Sequence, residues 1–108
     1  MTEQVLEFAA IKLAPGSSEQ DLLSASQVFQ TEFLDNQDGF LRRDMVRKGD
    51  GTYLDVILWQ SRAHADAVFE RAQSSEAVGQ YFGHMEIDPD NMDAGVEYCA
   101  LLRSFAKG

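Results

Sequence analysis

Tyr53, Asp55, Ile57 and Trp59 alternate along one stretch of the chain. A strand, with its period of two, would carry all four on one face. An acid among three large apolar groups is unusual. Burial would raise its pKa unless a cation or hydrogen bonds hold the charged form. A carboxyl raised in this way suits a general base acting on a phenol or an activated carbon acid. The competing arrangement is an ion pair, because Arg42, Arg43 and Arg47 lie within reach across a hairpin. Trp59 either fills a core, its indole N–H finding one partner, or stands in the wall of a site. His64 falls in the first turn of a following helix, where the dipole disfavours a positive charge. It reads as a neutral imidazole. Tyr81 and His84 come later, His84 shortly before Glu86 and Asp88, which would support it as a base or leave it solvated. The candidate catalytic residues are therefore Asp55, Trp59 and His64. Tyr53, Ile57, Trp59, Tyr81 and His84 are the candidates for touching a substrate.

Other chemistries find less support. Cys99 is the only cysteine, so no disulfide can form within the chain. Val96, Tyr98, Ala100, Leu101 and Leu102 around it mark a small apolar side chain rather than a nucleophile. Asp88, Asp90 and Asp93 invite a calcium loop, but the sixth and twelfth positions from Asp88 are Asp93 and Cys99. The EF-hand needs glycine and glutamate there. No paired His/Cys spacing for zinc occurs, and there is no phosphate-binding glycine loop or nucleophile elbow. We expect no metal and no bound cofactor.

The elements that must position these groups follow from periodicity. Val5 to Leu13 predicts a strand with two largely apolar faces, broken by Pro15-Gly16. Ser17 or Ser18 caps a helix to about Asp35, with Gln20 or Asp21 three residues on, as in a capping box. Leu22, Ala25, Phe29 and Phe33 form its stripe. Phe40 to Lys48 predicts a second, charge-rich strand, and Lys48-Gly49-Asp50-Gly51 a hairpin. Thr52 to Gln60 is the clearest strand, with Leu54, Val56 and Leu58 on its other face. Ser61 caps a helix over 62–73, and a short helical piece covers 76–82. An acidic irregular segment, 83–94, leads to a last strand from Gly95 to Phe105. The order β-α-β-β-α-β is the split βαβ pattern of a ferredoxin-like α+β fold with a four-stranded antiparallel sheet. No linker divides the chain, so residues 1–108 read as one domain.

Apolar residues make up 44% of the chain and charged residues 25%, which is a globular balance. The net charge of −9 opposes binding to nucleic acid and to an anionic membrane surface. The amino terminus, Thr2, Glu3 and Gln4, is polar and lacks the pattern of a signal peptide. No apolar run approaches the ~20 residues of a membrane span. We expect a cytoplasmic protein.

A four-stranded sheet with helices on one side leaves its second face open. We expect Tyr53, Ile57 and Trp59 on that face, where a second copy would cover them and form a homodimer. The alternative is a monomer with the 83–94 segment as its lid.

In this light the chain resembles the dimeric α+β barrel superfamily, and within it the antibiotic-biosynthesis-monooxygenase-like proteins. The resemblance rests on Ala14-Pro15-Gly16 ending the first strand and Gly39-Phe40 opening the second. It rests also on Leu58-Trp59 running directly into Ser61 and a helix. It implies a protomer whose sheet pairs with a second sheet, with a pocket between sheet and helices. Some such proteins oxidise aromatic polyketides or quinols without metal or flavin, others degrade haem, and many have no known activity. Polyketide-oxidising members resemble this chain at Trp59, but Asp55 stands where they carry an asparagine, and no match is found for their later tyrosine and arginine. Haem-degrading members carry an asparagine on the first strand, where this chain offers Ala9 or Ala10, and a later histidine near Phe69. The expectation is a homodimeric, cofactor-free monooxygenase-like enzyme acting on a small aromatic or quinoid metabolite. The alternative is a non-catalytic module of the same fold that binds a small apolar ligand or a partner chain.

Overall fold

A computed structural model describes residues 3–91 and 93–108; Thr2 of the polar amino terminus and position 92 of the acidic segment lie outside them. The elements run β1 (Val5–Ile11), α1 (Glu19–Glu32), a 3-10 turn (Leu34–Asn36), β2 (Phe40–Arg47), β3 (Tyr53–Trp59), α2 (Arg62–Ala72), α3 (Glu76–Phe82) and β4 (Val96–Ala100). The sheet order is β2-β3-β1-β4 and every pairing is antiparallel. This is the ferredoxin-like α+β arrangement expected from the element order.

Local chemistry sets the helix starts. Ser18 caps α1: its Oγ accepts from the Asp21 N–H at 3.1 Å, and the Asp21 carboxylate accepts from the Ser18 N–H at 3.0 Å. That reciprocal box satisfies two otherwise orphan donors. Ser61 and Ser75 cap α2 and α3 in the simpler way. The buried stripes, Leu22, Ala25 and Phe29 of α1, Ala65 and Val68 of α2, and Ala77, Val78 and Tyr81 of α3, all pack on one side of the sheet.

That side is the one carrying Tyr53, Asp55, Ile57 and Trp59, which are buried. The expectation that these residues face outward is therefore corrected. The helix stripes pack against the bulkier face of β3, with Phe29 and Tyr81 in one cluster with Tyr53, Ile57 and Trp59. The aliphatic face of Leu54, Val56 and Leu58 is left uncovered beside Leu6 and Phe8 of β1. The lid alternative is corrected too, because the described residues of 83–94 run along the helix side. Glu86 N–H donates to the Lys12 carbonyl at 2.8 Å, and Ala14 N–H to the His84 carbonyl at 2.9 Å. This pairing also ends β1 at Ile11, two residues before Leu13.

The last strand stops at Ala100 rather than Phe105. Leu101 N–H still donates to the Gln4 carbonyl at 2.9 Å, but the ladder has by then passed the first residue of β1. Leu102 and Phe105 beyond it are 87% and 85% exposed.

One irregularity matters more than these ends. Phe40 pairs with Trp59 and Arg42 with Leu58, so Leu41 is an extra residue in β2. A bulge of this kind re-aims every side chain after it. Without it, Phe40 facing inward would place positions 42, 44 and 46 inward. With it, Arg43 and Met45 face the helices.

The turn into β2 depends on Gly39, which has φ +87°; a Cβ there would lie on the His64 imidazole. Gly39→Ala should combine left-handed strain with overpacking and lose about 2–5 kcal/mol of stability. Gly16→Ala, at φ +85° but in open space, should lose only about 1–2 kcal/mol. Urea unfolding of both variants checks the difference.

Candidate functional site

Between sheet and helices lies a cavity of about 450 Å³, a size that suits a small organic ligand. Its floor is Glu7, Ala9 and Ile11 of β1, Asp55 and Ile57 of β3, and Val96 and Tyr98 of β4. Phe29, Tyr81 and Phe82 form a helical wall, and Met85 and Ile87 of the acidic segment another. Ala9 of β1, directly across from Asp55 on β3 and from Val96 on β4, is the small residue that leaves room on the floor. The mouth carries Arg62, Asp66 and Phe69 of α2, with Glu86, Asp88 and Asp93 opposite.

Asp55 stands at one end of this floor, and each of its oxygens accepts a hydrogen bond. Arg43 Nε donates to Oδ1 at 3.1 Å, and Tyr81 OH donates to Oδ2 at 2.7 Å. Both charged side chains are only 5% exposed. The guanidinium also donates to the Tyr81 hydroxyl at 3.2 Å, to Gln30 Oε1 at 3.2 Å and to the Ser26 hydroxyl. Its plane lies 4.9 Å from the Phe29 ring centre, and Phe29 and Tyr81 stack at 4.8 Å. Asp55 is thus the cross-strand ion pair, with Arg43 of the three possible arginines. Burial, and next the Asp55 charge, push the Tyr81 phenol well above its ordinary range. Tyr81 is a proton-bearing donor to Asp55.

At the other end stands Glu7, a residue that the sequence reading passed over. Trp59 Nε1–H donates to its Oε1 at 3.0 Å, and this is the only hydrogen bond to that carboxylate among the described residues. Burial is the main cause that raises the Glu7 carboxyl above 4.5; the Trp59 bond opposes the rise, the Asp55 charge adds to it, and Arg62 has the smallest, lowering effect. Arg62 is engaged elsewhere, stacked 3.7 Å from the centre of the Tyr98 ring and paired with Asp66 at 3.0 Å. Tyr98, cross-strand from Glu7, has its phenol pushed up to about 12, by burial first and the Glu7 charge second. The signal for Glu7 was available: it interrupts Val5, Ala9 and Ile11 on one face of a strand covered on that side. The first-strand group that meets the Trp59 indole is Glu7.

The remaining candidates divide. Ile57 and Tyr81 line the cavity, while Trp59 lies behind Glu7 and Tyr53 is buried in the core away from the cavity. His64 is elsewhere: its Nδ1 shares a 2.6 Å hydrogen bond with Ser61 Oγ, Nε2 lies 3.6 Å from Asp38, and its ring packs on Gly39. His84 shares a 2.9 Å hydrogen bond with Ser17 Oγ and ties the acidic segment to the turn after β1. Glu86 pairs with Lys12 at 3.2 Å instead of supporting His84. Neither histidine lines the cavity. Among the described residues, no group of three or more His, Cys, Asp or Glu is placed to hold a metal ion, and no helix is long and apolar enough to cross a membrane.

Removing one member of the Arg43–Asp55 pair leaves a buried charge alone, so Asp55→Ala should lose about 3–5 kcal/mol. The double variant Arg43→Met, Asp55→Leu should be more stable than Asp55→Ala, as a double-mutant cycle in urea would show. Glu7 predicts a pH signature. Between pH 4.5 and its raised native value, the folded chain keeps a proton that the unfolded chain has released, so stability falls as pH rises through that window. Glu7→Gln should match the parent protein below the window and exceed it above, read from urea midpoints against pH.

No family model matches the sequence, and no curated protein matches it. Solved structures do. A protein from Bordetella bronchiseptica named as a candidate antibiotic biosynthesis monooxygenase superposes with a TM-score of 0.73 at 17% identity, over 94% of this chain and 100% of that one. A similarly named protein from Caulobacter crescentus gives 0.64 at 15%, over 94% and 92%. SnoaB from Streptomyces nogalater, a cofactor-independent oxygenase, gives 0.59 at 13%, over 97% of each chain. At these identities the likeness is one of fold. The chain has the ferredoxin-like α+β fold that these antibiotic-biosynthesis-monooxygenase-like structures share.

Proposed function

We propose that two copies of this chain, as one domain each, form a cytoplasmic homodimer, and that each cavity takes a small aromatic or quinoid metabolite and oxidises it with dioxygen, without metal or flavin. The observation that carries this reading is the cavity itself: a largely apolar chamber under the helices with one under-occupied carboxylate, Glu7, in its floor. A quinol gives electrons to dioxygen far more readily once deprotonated. A proton acceptor in a water-poor chamber is therefore the main equipment such a reaction needs. The fold shared with SnoaB, a cofactor-independent oxygenase, supports the reaction class.

The second copy is argued from the uncovered face. Leu6, Phe8, Leu54, Val56 and Leu58 stand together there, edged by Val46 at 43% exposure and by the Arg42–Asp44 pair at 2.9 Å. An apolar patch with a polar rim is the make-up of an interface, and a matching sheet packed about 10 Å away would bury it. This replaces Tyr53, Ile57 and Trp59 as the residues of the expected contact.

A specific observation favours the non-catalytic alternative. Asp55 and Tyr81, the polar groups at one end of the cavity, are spent on each other and on Arg43. A module that only binds an apolar ligand would look the same at that end.

Val56→Asp should convert a particle of twice the monomer mass into a monomer in analytical ultracentrifugation, with circular dichroism unchanged. For the reaction, a panel of naphthalene-diols is mixed with the protein in the presence of a chelator while dioxygen is recorded. Uptake that depends on the protein and is lost in Ala9→Leu, which fills the floor, supports the oxygenase. Binding with no uptake leaves the ligand-binding module.

A further inference from the structure

Two carboxylates stand in the floor of one cavity, and their surroundings differ. Asp55 accepts from a guanidinium on one oxygen and from a phenol on the other. Glu7 accepts once, from Trp59, through Oε1; its Oε2 has no hydrogen-bond partner among the described residues, and the residue lines the cavity. When two acids share a site, their division of labour follows from such a difference in environment.

We infer that Glu7 Oε2 is the proton acceptor of this cavity for a ligand hydroxyl, and that Trp59 is the positioning residue that aims it. In the step implied, the O–H bond of the ligand breaks and an O–H bond forms on Oε2. The electron pair stays on the ligand oxygen, so charge moves from carboxylate to ligand and the total is unchanged. No oxidant or cofactor enters.

The sheet register explains why the pair is in place. Glu7 faces Ile57 on one side and Tyr98 on the other. Trp59, one inward position beyond Ile57 on β3, lies diagonal to it. The indole reaches along the sheet and fixes one carboxylate oxygen, which leaves the second free to face the chamber. Ile57 is its apolar neighbour on the floor, and burial of Glu7 makes its carboxylate a stronger base than an exposed one. Arg62, the nearest cation, is held by Asp66 and the Tyr98 ring rather than by Glu7. The acids other than Glu7 and Asp55, namely Asp66, Glu86, Asp88 and Asp93, stand at its mouth. Their charge, with that of Glu7, disfavours a ligand that arrives as an anion and favours one that arrives neutral and gives up its proton inside.

The inference rests on the reading of the chamber as a ligand site, and the test separates the two. The probe is 2-naphthol, which becomes a strong acid when excited and emits at longer wavelength once it has lost its proton to a nearby base. Its partner probe is 2-methoxynaphthalene, of similar shape but with no proton to give. Both are titrated into the intact protein, with protein in excess and excitation beyond the absorption of Trp59. The parent protein should bind both probes and show naphtholate emission from bound naphthol. Glu7→Gln should bind methoxynaphthalene as before and show naphthol emission with the naphtholate band lost. Trp59→Phe should also keep methoxynaphthalene binding, with an intermediate ratio of the two bands, a change that loss of packing alone would not produce. If the parent protein and Glu7→Gln bind naphthol with the same emission, Glu7 is not the acceptor, while the chamber remains a ligand site. If the parent protein binds neither probe, the ligand-site reading fails and this inference goes with it.

Discussion

A buried guanidinium and a buried carboxylate are stable only as partners, and Arg43 and Asp55 are both almost wholly withdrawn from water. The attraction between them must offset the loss of two hydration shells, which it does only with good geometry and with the remaining donors satisfied. That requirement explains much of the helical layer. Ser26 and Gln30 of α1 face β2 because the guanidinium needs acceptors. Phe29 and Tyr81 stack on one another because their faces cover its plane. Tyr81 brings α3 down onto the sheet because its hydroxyl completes the Asp55 carboxylate. The cluster ties β2, β3, α1 and α3 together at one place, and the cavity opens beside it.

The cavity takes its character from this tie. Both Asp55 oxygens accept hydrogen bonds, and the carboxylate oxygen without a partner among the described residues lies at the other end, on Glu7. The same sheet thus carries one carboxylate used for architecture and one with an oxygen to spare. The acidic segment after α3 is a wall of the chamber, hydrogen-bonded along the chain that follows β1. Its charge is concentrated at the mouth, and its apolar residues, Met85 and Ile87, line the interior.

The opposite face of the sheet follows from the same economy of surface. All three helices pack on the side with the aromatic and charged residues of β3. No element among the described residues covers the aliphatic side. A face of leucine, valine and phenylalanine in the middle of a sheet is stable in water only when something apolar lies on it.

Element order, helix caps and the hairpin were all legible in the residues, because each depends on neighbours within a few positions: Ser18 with Asp21, Ser61 with the N–H three residues on, glycine where φ must be positive. The grouping of Tyr53, Asp55, Ile57 and Trp59 on one face was legible too, since a strand has only one period. Which side of the sheet that face would take was not, because two apolar faces look alike until the helices choose one. The choice of Arg43 as partner was also hidden. It depends on a single extra residue, Leu41, that shifts the phase of β2, and a bulge leaves little mark in a charged strand. His84 illustrates the same limit: nothing near it in the chain shows that Ser17, 67 positions earlier, would claim it. Sequence by itself determined the local geometry and the faces. Only the tertiary structure decided which faces meet, and therefore which carboxylate is paired and which is left with an oxygen open to the cavity, because that outcome is set by contacts between residues 12 to 52 positions apart.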